Sequence, residues 1–189
     1  MPRLEKEEKA RRFEQVIMPH LDAAYNLARW LTRNDSDAQD VVQEACLRAF
    51  RYFDGFQGEN PSAWLLAIVR NACFTWMRRN RPAEEVAGSD SITDETTAVG
   101  ASIVGASSRE LGSDPETLLI DGRDRTRVNE LVQRLPAEYR EVIVLREVED
   151  LSYREIADVV GIPIGTVMSR LARARKMLHD NWYKIQAQK

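Results

Sequence analysis

The stretch SYREIADVVGIPIGTVMSRLARARKML, residues 152–178, predicts two helices joined by a short turn. Ser152 and Glu155 have the spacing of a capping box, in which each side chain bonds to the other residue's backbone N–H at a helix start. Gly161 suits the left-handed conformation that ends a helix, and Gly165 with Thr166 opens the next one. A short helix, a turn of about three to four residues and a second helix form a helix-turn-helix arrangement.

The second of these helices has two contrasting faces. Val167, Leu171, Ala174 and Leu178 recur every three or four residues and predict an inward stripe. The opposite side carries short hydroxyls near the helix start and cations further along. This pattern suits the major groove of DNA, where arginine pairs with guanine edges and other cations hold phosphates; an ordinary solvated basic helix is the alternative. The residues concerned are Thr166, Ser169, Arg170 and Arg173, flanked by Arg175 and Lys176.

Charge is distributed unevenly along the 189 residues. The formal net charge is -3, yet residues 82–124 hold 2 basic and 10 acidic residues between two mildly basic ends. The net charge alone argues against nucleic-acid binding. Because the acidic residues are concentrated in the middle segment, the two basic ends make nucleic-acid binding a candidate function again. No apolar run approaches the roughly 20 residues that a membrane span needs. The charged N-terminus lacks an apolar core, so we expect neither a signal peptide nor an anchor there.

Three amphipathic helices are predicted in the first half of the chain. The first begins at Pro19, the second follows capping residues at 34–37, and the third runs from Pro61 to Arg81. Residues 54–62 contain glycine and proline, which interrupt regular structure, and are predicted to form a loop. Because three such helices bury a common core, we assign residues 10–81 to one helical domain.

Residues 82–114 change in composition to Ser, Thr, Gly, Ala and acidic residues without a lasting period. We expect an acidic flexible linker there. Helical patterns resume beyond it and lead into the helix-turn-helix, so residues 115–185 form a second domain. The predicted fold class is therefore all-α, with two small helical domains joined by the linker.

One side of the third helix combines cations, an amide and an aromatic ring. Arg70, Asn71 and Phe74 lie on it, and Arg78 follows one turn later. Such a set suits single-stranded DNA, because cations follow phosphates while rings stack on unpaired bases. The alternative is that the aromatic residues are core and the arginines only solubilise the helix. Trp64 is expected to hold the preceding loop against the core rather than to contact DNA.

Two blocks of the sequence resemble bacterial sigma factors of the extracytoplasmic-function (ECF) class of the sigma-70 family. LPAEYREVIVLREVEDLSYREIADVVGIPIGTVMSRLARARKML is similar to their region 4. DAQDVVQEACLRAFRYFDGF and NPSAWLLAIVRNACFTWMRRNR are similar to region 2. The resemblance implies a protein that binds core RNA polymerase, directs it to specific promoters and promotes strand opening. It also implies a stress or envelope response and control by an anti-sigma factor.

The same resemblance implies roles for particular residues. Region 2 would dock on the clamp helices of the polymerase β′ subunit and recognise the promoter's -10 element, and region 4 would bind the β flap and the -35 element through the helix-turn-helix residues given above. Met168 and Ala172 depart from the cations or bulky groups common in that helix. The implied polymerase contacts are Asp40, Gln43, Glu44, Arg48 and Arg51. The implied contacts to the -10 element are Phe56, Gln57, Asn60, Arg70, Asn71, Phe74, Arg78 and Arg79.

Nothing in the sequence has the pattern of an enzyme site: there is no nucleophile–base pair, phosphate loop or metal-ligand cluster. We therefore expect no catalysis, no metal and no cofactor. Cys46 and Cys73 fall in apolar helical patterns and are expected to be reduced thiols. We expect a cytoplasmic protein, or one held at the inner membrane by an anti-sigma factor. Two alternatives stay open: a helix-turn-helix regulator acting without polymerase, and a decoy that titrates an anti-sigma factor.

Overall fold

The computed structural model describes the backbone of residues 2–58, 60–80 and 126–186, and the side chains of 7–58, 60–80 and 126–185. Within these ranges the chain is helical and forms no strand, which confirms the predicted all-α class. The predicted linker, 82–114, and the first residues of the predicted second domain lie outside the described residues.

The described ranges contain eight α-helices and two short 3₁₀ turns. The turns are Met18–His20 and Phe53–Gly55. The helices are α1 (Pro2–Ile17), α2 (Leu21–Thr32), α3 (Asp35–Tyr52), α4 (Pro61–Asn80), α5 (126–134), α6 (Ala137–Glu147), α7 (Tyr153–Val160) and α8 (Ile164–Gln186).

Helices α2, α3 and α4 pack against one another and form the first unit. Asn34 caps α3 as the sequence predicts, since its side chain accepts hydrogen bonds from the backbone N–H groups of Ser36 and Asp37. Leu65 and Leu66 of α4 are completely buried, and burial of such a side chain contributes about 1.5–3 kcal/mol. The apolar periodicity of this segment predicts an inward stripe, which is confirmed by burial of all its members except Val42 and Phe50, which are half-buried; the buried members are Ala38, Val41, Ala45 and Ala49 of α3 and Phe53 of the following turn.

Helix α1 was not predicted, and the helix expected to begin at Pro19 begins at Leu21 after a 3₁₀ turn. Although the sequence of α1 is mostly charged, one face of the helix is apolar and packs against the core. The Phe13 ring meets the rings of Phe50 and Phe53 edge-on, with 5.2 Å between centroids in both pairs. Ile17 is completely buried. Tertiary packing of this face therefore stabilises α1, although its composition alone predicts a solvent-exposed segment.

The second unit consists of α5 to α8, with α6 packed against both α7 and α8. Arg140 of α6 is almost completely buried, and its Nη1 donates to the carbonyl oxygens of Gln133 at 2.6 Å and Leu135 at 3.2 Å. These bonds satisfy carbonyl groups at the end of α5, where the helix leaves them without partners. Arg140 therefore links α5 to α6.

The two units pack directly against each other. Helix α4 lies against α7, helix α2 lies against α6, and the buried apolar residues of both units form one continuous cluster. Polar contacts cross the same boundary: Asn60 Nδ2 donates to Glu155 Oε1 at 2.6 Å, and Arg70 Nε donates to Glu141 Oε2 at 2.7 Å. The sequence predicted two units but not this interface between them.

Candidate nucleic-acid interface

The helix-turn-helix is built as its sequence predicts. The Glu155 backbone N–H donates to Ser152 Oγ at 3.3 Å, and the Ser152 N–H donates to Glu155 Oε2 at 2.8 Å. These bonds lower the pKa of Glu155, and the hydrogen bond with the Ser152 side chain contributes most. Gly161 ends α7 with a φ of 74°, a left-handed conformation that glycine adopts without steric cost. The turn therefore ends within three residues, and α8 begins at Ile164, one residue before the start predicted at Gly165.

Helix α8 presents its cations opposite a buried stripe. Val167, Leu171 and Ala174 are buried, as predicted, and Leu178 is half-buried against the core. Arg173 and Lys176 are exposed, and within the described residues neither has a recorded ion pair. Arg175 is exposed and pairs with Glu147 at 2.8 Å, an interaction that raises the pKa of the arginine. Of the six residues predicted for duplex DNA, Ser169, Arg173, Arg175 and Lys176 are therefore exposed, and the exposed cations among them without an ion pair in the described part of the chain are Arg173 and Lys176.

Arg170 is placed differently from its neighbours on α8. Its side chain is 24% exposed and contacts two carboxylates of α6, Glu141 at 3.2 Å and Glu138 at 3.8 Å. Nearer the helix start, the Ser169 hydroxyl donates to the Thr166 carbonyl at 3.0 Å. Met168 is 49% exposed, so the face combines a thioether with its polar groups.

The residues on the cationic side of α4 also differ in their exposure to solvent. Asn71, Arg78 and Arg79 are exposed, whereas the Arg70 side chain is 19% exposed and its guanidinium lies 4.4 Å from the centre of the Phe74 ring. Arg70 also pairs with Glu141 of the other unit, at 2.7 Å. Both arginines that the sequence predicts near the middle of a DNA-binding surface therefore meet the same carboxylate.

Glu141 itself is completely buried, and its two oxygens face Arg70 and Arg170. Burial raises the pKa of Glu141, and the two arginines oppose that effect. A buried carboxylate is costly unless it is paired and hydrogen-bonded, which accounts for the convergence of two guanidinium groups on one acid.

The loop before α4 is held by aromatic packing. Phe56 lies 4.9 Å from Trp64 and 6.2 Å from Phe53, measured between ring centres. This confirms the prediction that Trp64 fixes the loop against the core, and it gives Phe56 a packing role in the same cluster. Asn60 accepts a hydrogen bond from the Ala63 N–H at 2.9 Å and so caps α4. Gln57 is exposed, and Glu59 lies outside the described residues.

The outer face of α3 carries the residues expected to contact polymerase. Asp40, Gln43, Glu44 and Arg51 are exposed, and Arg48 pairs with Glu44. Sequence reasoning missed two apolar residues among them: the exposed fractions are 67% for Leu47 and 64% for Tyr52. Leu47 follows Gln43 by four positions, so helical spacing could have placed it on this face. The face therefore combines the carboxylates of Asp40 and Glu44 and the amide of Gln43 with the exposed apolar side chain of Leu47.

Two searches of the described residues bear on other classes of site. Among those residues, no group of three or more His, Cys, Asp or Glu side chains could hold a metal ion. None of the helices described is long and apolar enough to cross a membrane.

Both units match known families. Residues 16–83 match the family model "Sigma-70 region 2", and residues 125–178 match "Sigma-70, region 4". The chain is 36% identical to the ECF RNA polymerase sigma-E factor of Escherichia coli (strain K12) over 149 residues, which cover 77% of this chain and 73% of that protein. It is 30% identical to the ECF RNA polymerase sigma factor SigE of Mycolicibacterium smegmatis, with 89% of this chain and 60% of that protein covered.

A solved structure is similar as well. It is the co-crystal structure of the sigma factor RpoE in complex with the anti-sigma factor NepR from Bartonella quintana, with a TM-score of 0.62 and 30% sequence identity. The match covers 89% of this chain and 95% of that chain.

Proposed function

Since the chain belongs to the family of ECF RNA polymerase sigma factors, we propose that it binds core polymerase through α3, reads a promoter's upstream element through α8 and holds the melted element against α4. Promoter recognition and strand opening would then be binding steps, while polymerase supplies the chemistry. In this proposal the protein is not an enzyme and needs no metal or cofactor of its own.

One observation carries this proposal: three surfaces of different character occur on one chain in the order of sigma regions 2 and 4. The α3 face offers acidic, amide and apolar groups, including Asp40 and Leu47, to a protein partner. Helix α4 offers exposed Asn71, Arg78 and Arg79 beside a ring. Helix α8 offers Arg173 and Lys176 from a helix-turn-helix. A regulator that binds only duplex DNA has no use for the first two surfaces.

The partners follow from these surfaces. We propose the β′ clamp helices and the β flap of core polymerase, and promoter DNA. We also propose an anti-sigma factor, because the similar Bartonella quintana protein was crystallised with one. The chain would work in the cytoplasm, where core polymerase is found, or be held at the inner membrane by that anti-sigma factor.

In vitro transcription with purified core polymerase and a library of promoter fragments tests the proposal. We expect transcripts from a small set of fragments that share two spaced elements, and none when the chain is omitted. Failure to associate with core polymerase, or association without selection of start points, would overturn the proposal. Duplex binding without any effect on polymerase would favour the stand-alone regulator instead.

A further inference from the structure

Helix α8 carries an apolar strip on its exposed side, among the polar residues proposed to contact DNA. Met168 is 49% exposed, and Ile164, one turn earlier, is 46% exposed. Ala172, one turn later, is exposed as well. Residues four positions apart lie on the same face of a helix, so the three side chains form one line along α8. We propose that Met168, supported by Ala172, recognises thymine in the upstream promoter element through the C5-methyl group of the base.

The position of Met168 on α8 suits contact with a base. In a helix-turn-helix the N-terminal residues of the second helix contact the base edges in the major groove. Since α8 begins at Ile164, Met168 lies in the second turn of this helix. The inference rests on the proposed function, because it assumes that α8 enters the major groove of the upstream element.

Neighbouring polar side chains in the first turns of α8 are engaged within the protein. Arg170 is 24% exposed, and its guanidinium contacts Glu141 at 3.2 Å and Glu138 at 3.8 Å, both on α6 of the same unit. A guanidinium uses the same planar N–H groups for a carboxylate as for a guanine edge, so these contacts favour a role in fixing α8 to α6. The Ser169 hydroxyl donates to the Thr166 carbonyl. Discrimination between bases in these turns therefore falls to the apolar strip.

Thymine is the base whose major-groove edge fits an apolar side chain. Its C5-methyl group is an apolar feature of that edge, whereas guanine, adenine and cytosine present only hydrogen-bond donors or acceptors there. A thioether is a weak acceptor, so against cytosine it would remove the amino group from water without giving it a good partner. Against thymine, Met168 buries apolar surface on both sides of the contact. Its unbranched side chain also adapts readily to the shape of the group that it meets.

The exposed cations of α8 have a different part in this contact. Arg173 and Lys176 lie on the turns that follow Met168 and are exposed. Phosphate contacts fix the position of a protein on DNA and strengthen binding whatever the sequence, whereas base contacts provide specificity. Loss of the Met168 contact should therefore lower affinity only at the base pair that it meets, and it should leave the salt dependence of binding unchanged.

Deoxyuridine tests the contact from the side of the DNA, because it differs from thymidine only by lacking the C5-methyl group. Duplexes that the chain selects with core polymerase in the transcription assay are synthesised again, with deoxyuridine replacing each thymidine of the upstream element in turn. We expect one replacement to weaken binding of the polymerase complex by about fourfold, which corresponds to about 0.8 kcal/mol for one buried methyl group. Equal binding of all these duplexes, or a selected element without thymine, would overturn the proposal.

Met168→Ala tests the contact from the side of the protein. The variant should fold, because Met168 is exposed and alanine favours a helix. We expect it to bind the thymine duplex as weakly as the unaltered chain binds the sensitive deoxyuridine duplex. On the deoxyuridine duplex it should lose little further affinity, since two changes at one contact are not additive.

Met18→Ala is the matched control. Met18 is also 49% exposed but lies in the 3₁₀ turn Met18–His20 of the first unit, away from the proposed DNA contacts. We expect this variant to keep the full preference for thymine over deoxyuridine. If Met168→Ala keeps the same preference, Met168 does not recognise the methyl group.

Met168→Lys should change which base is preferred. A lysine at this position carries a donor that pairs with the O6 and N7 atoms of guanine. We expect selection with core polymerase to enrich guanine where the unaltered chain enriches thymine, and retained enrichment of thymine would contradict the proposal. A Met168→Ala variant that still prefers thymine but associates less with core polymerase in the absence of DNA would also contradict it, since Met168 would then contact protein.

The transcription assay distinguishes failure of this inference from failure of the proposed function. If the unaltered chain never directs core polymerase to a promoter, the sigma-factor role fails, and thymine recognition by Met168 fails with it. If the chain does direct polymerase and every deoxyuridine duplex binds like its thymine counterpart, only thymine recognition fails.

Discussion

The outer face of α3 and the cationic faces of α4 and α8 differ in how they relate to the rest of the molecule. On the α3 face, Glu44 pairs with Arg48 of the same helix, while Asp40 and Leu47 are exposed. The cationic faces are partly turned toward each other, with Arg70 and Arg170 meeting at Glu141. One chain thus keeps its proposed protein-binding surface open and part of its proposed DNA-binding surface closed. The difference teaches that helical spacing is enough to locate the exposed face of α3, whereas tertiary packing decides which arginines of α4 and α8 remain exposed.

The largest expected effect comes from reversing charge on the open surface. Asp40→Arg places a cation where the α3 face is expected to meet basic groups of polymerase, and like charges at an interface cost several kcal/mol. We expect binding to core polymerase to weaken by about 100-fold, a change of about 2.7 kcal/mol. Duplex binding by the free chain should stay unchanged, because Asp40 is exposed on α3 and belongs to neither cationic helix. Surface plasmon resonance and fluorescence anisotropy measure the two affinities.

Gln39→Arg is the control for that reversal. Gln39 is exposed and adjacent on α3 but lies about 100° around the helix from Asp40. Equal losses of polymerase affinity in the two variants would mean that added positive charge anywhere on α3 is harmful, and the assigned face would be wrong.

The second largest effect concerns an available cation on α8. Arg173→Ala should weaken binding of the polymerase complex to the upstream element by about 1–3 kcal/mol if the guanidinium reads a base. A contact to phosphate would instead lower affinity uniformly across sequences and reduce its salt dependence. Footprinting on fragments that vary in the upstream element distinguishes these cases. Lys184→Ala, exposed near the end of α8, is the control and should leave the footprint intact.

Features set by local chemistry were predictable from the sequence. The boundaries of α7 follow from Ser152 and Glu155 at one end and Gly161 at the other, because caps involve residues within a single turn. The buried stripes of α3 and α8 follow from helical spacing. The start of α4 at Pro61 is predicted correctly, and the preceding Asn60, assigned to the loop, also caps the helix.

The interface between the units was not predictable in this way. Arg140 and Glu141 interrupt an apolar run in α6, and charged residues are almost never completely buried, so the pattern predicts that they face solvent. They are buried because α6 is packed against α2, α7 and α8 at once. The pairing of Arg70 with Glu141 joins residues 71 positions apart, and no local spacing encodes it. A charged pair inside the run YREVIV is the signal that could have indicated a specific partner.

A smaller effect would distinguish the proposed role of α4 in strand opening from the proposed role of α8 in promoter docking. Asn71 is exposed on α4 beside Arg70, and its amide suits an unpaired base rather than a phosphate. Asn71→Ala should slow strand opening by about tenfold, or about 1.4 kcal/mol, and leave initial promoter docking nearly unchanged. Permanganate reactivity reports opening, and footprinting reports docking. Identical defects in Asn71→Ala and Arg173→Ala would remove the division of labour between α4 and α8.

The smallest effect concerns the inner sides of the helices that support these surfaces. Cys46 of α3 is partly buried and Cys73 of α4 is fully buried; burial raises the pKa of both thiols, that of Cys73 to about 12. The thiolate is the reactive form, so at about pH 8 only about one Cys73 in ten thousand is reactive. Raising the pH through the ordinary thiol range should therefore speed alkylation of the unfolded chain while leaving native Cys73 unlabelled. Iodoacetamide labelling followed by mass spectrometry, with a sample in denaturant as control, measures this difference. Native labelling of Cys73 as fast as that of Cys46 would mean that α4 exposes its inner side, and the rigid support assumed for both surfaces would then be absent.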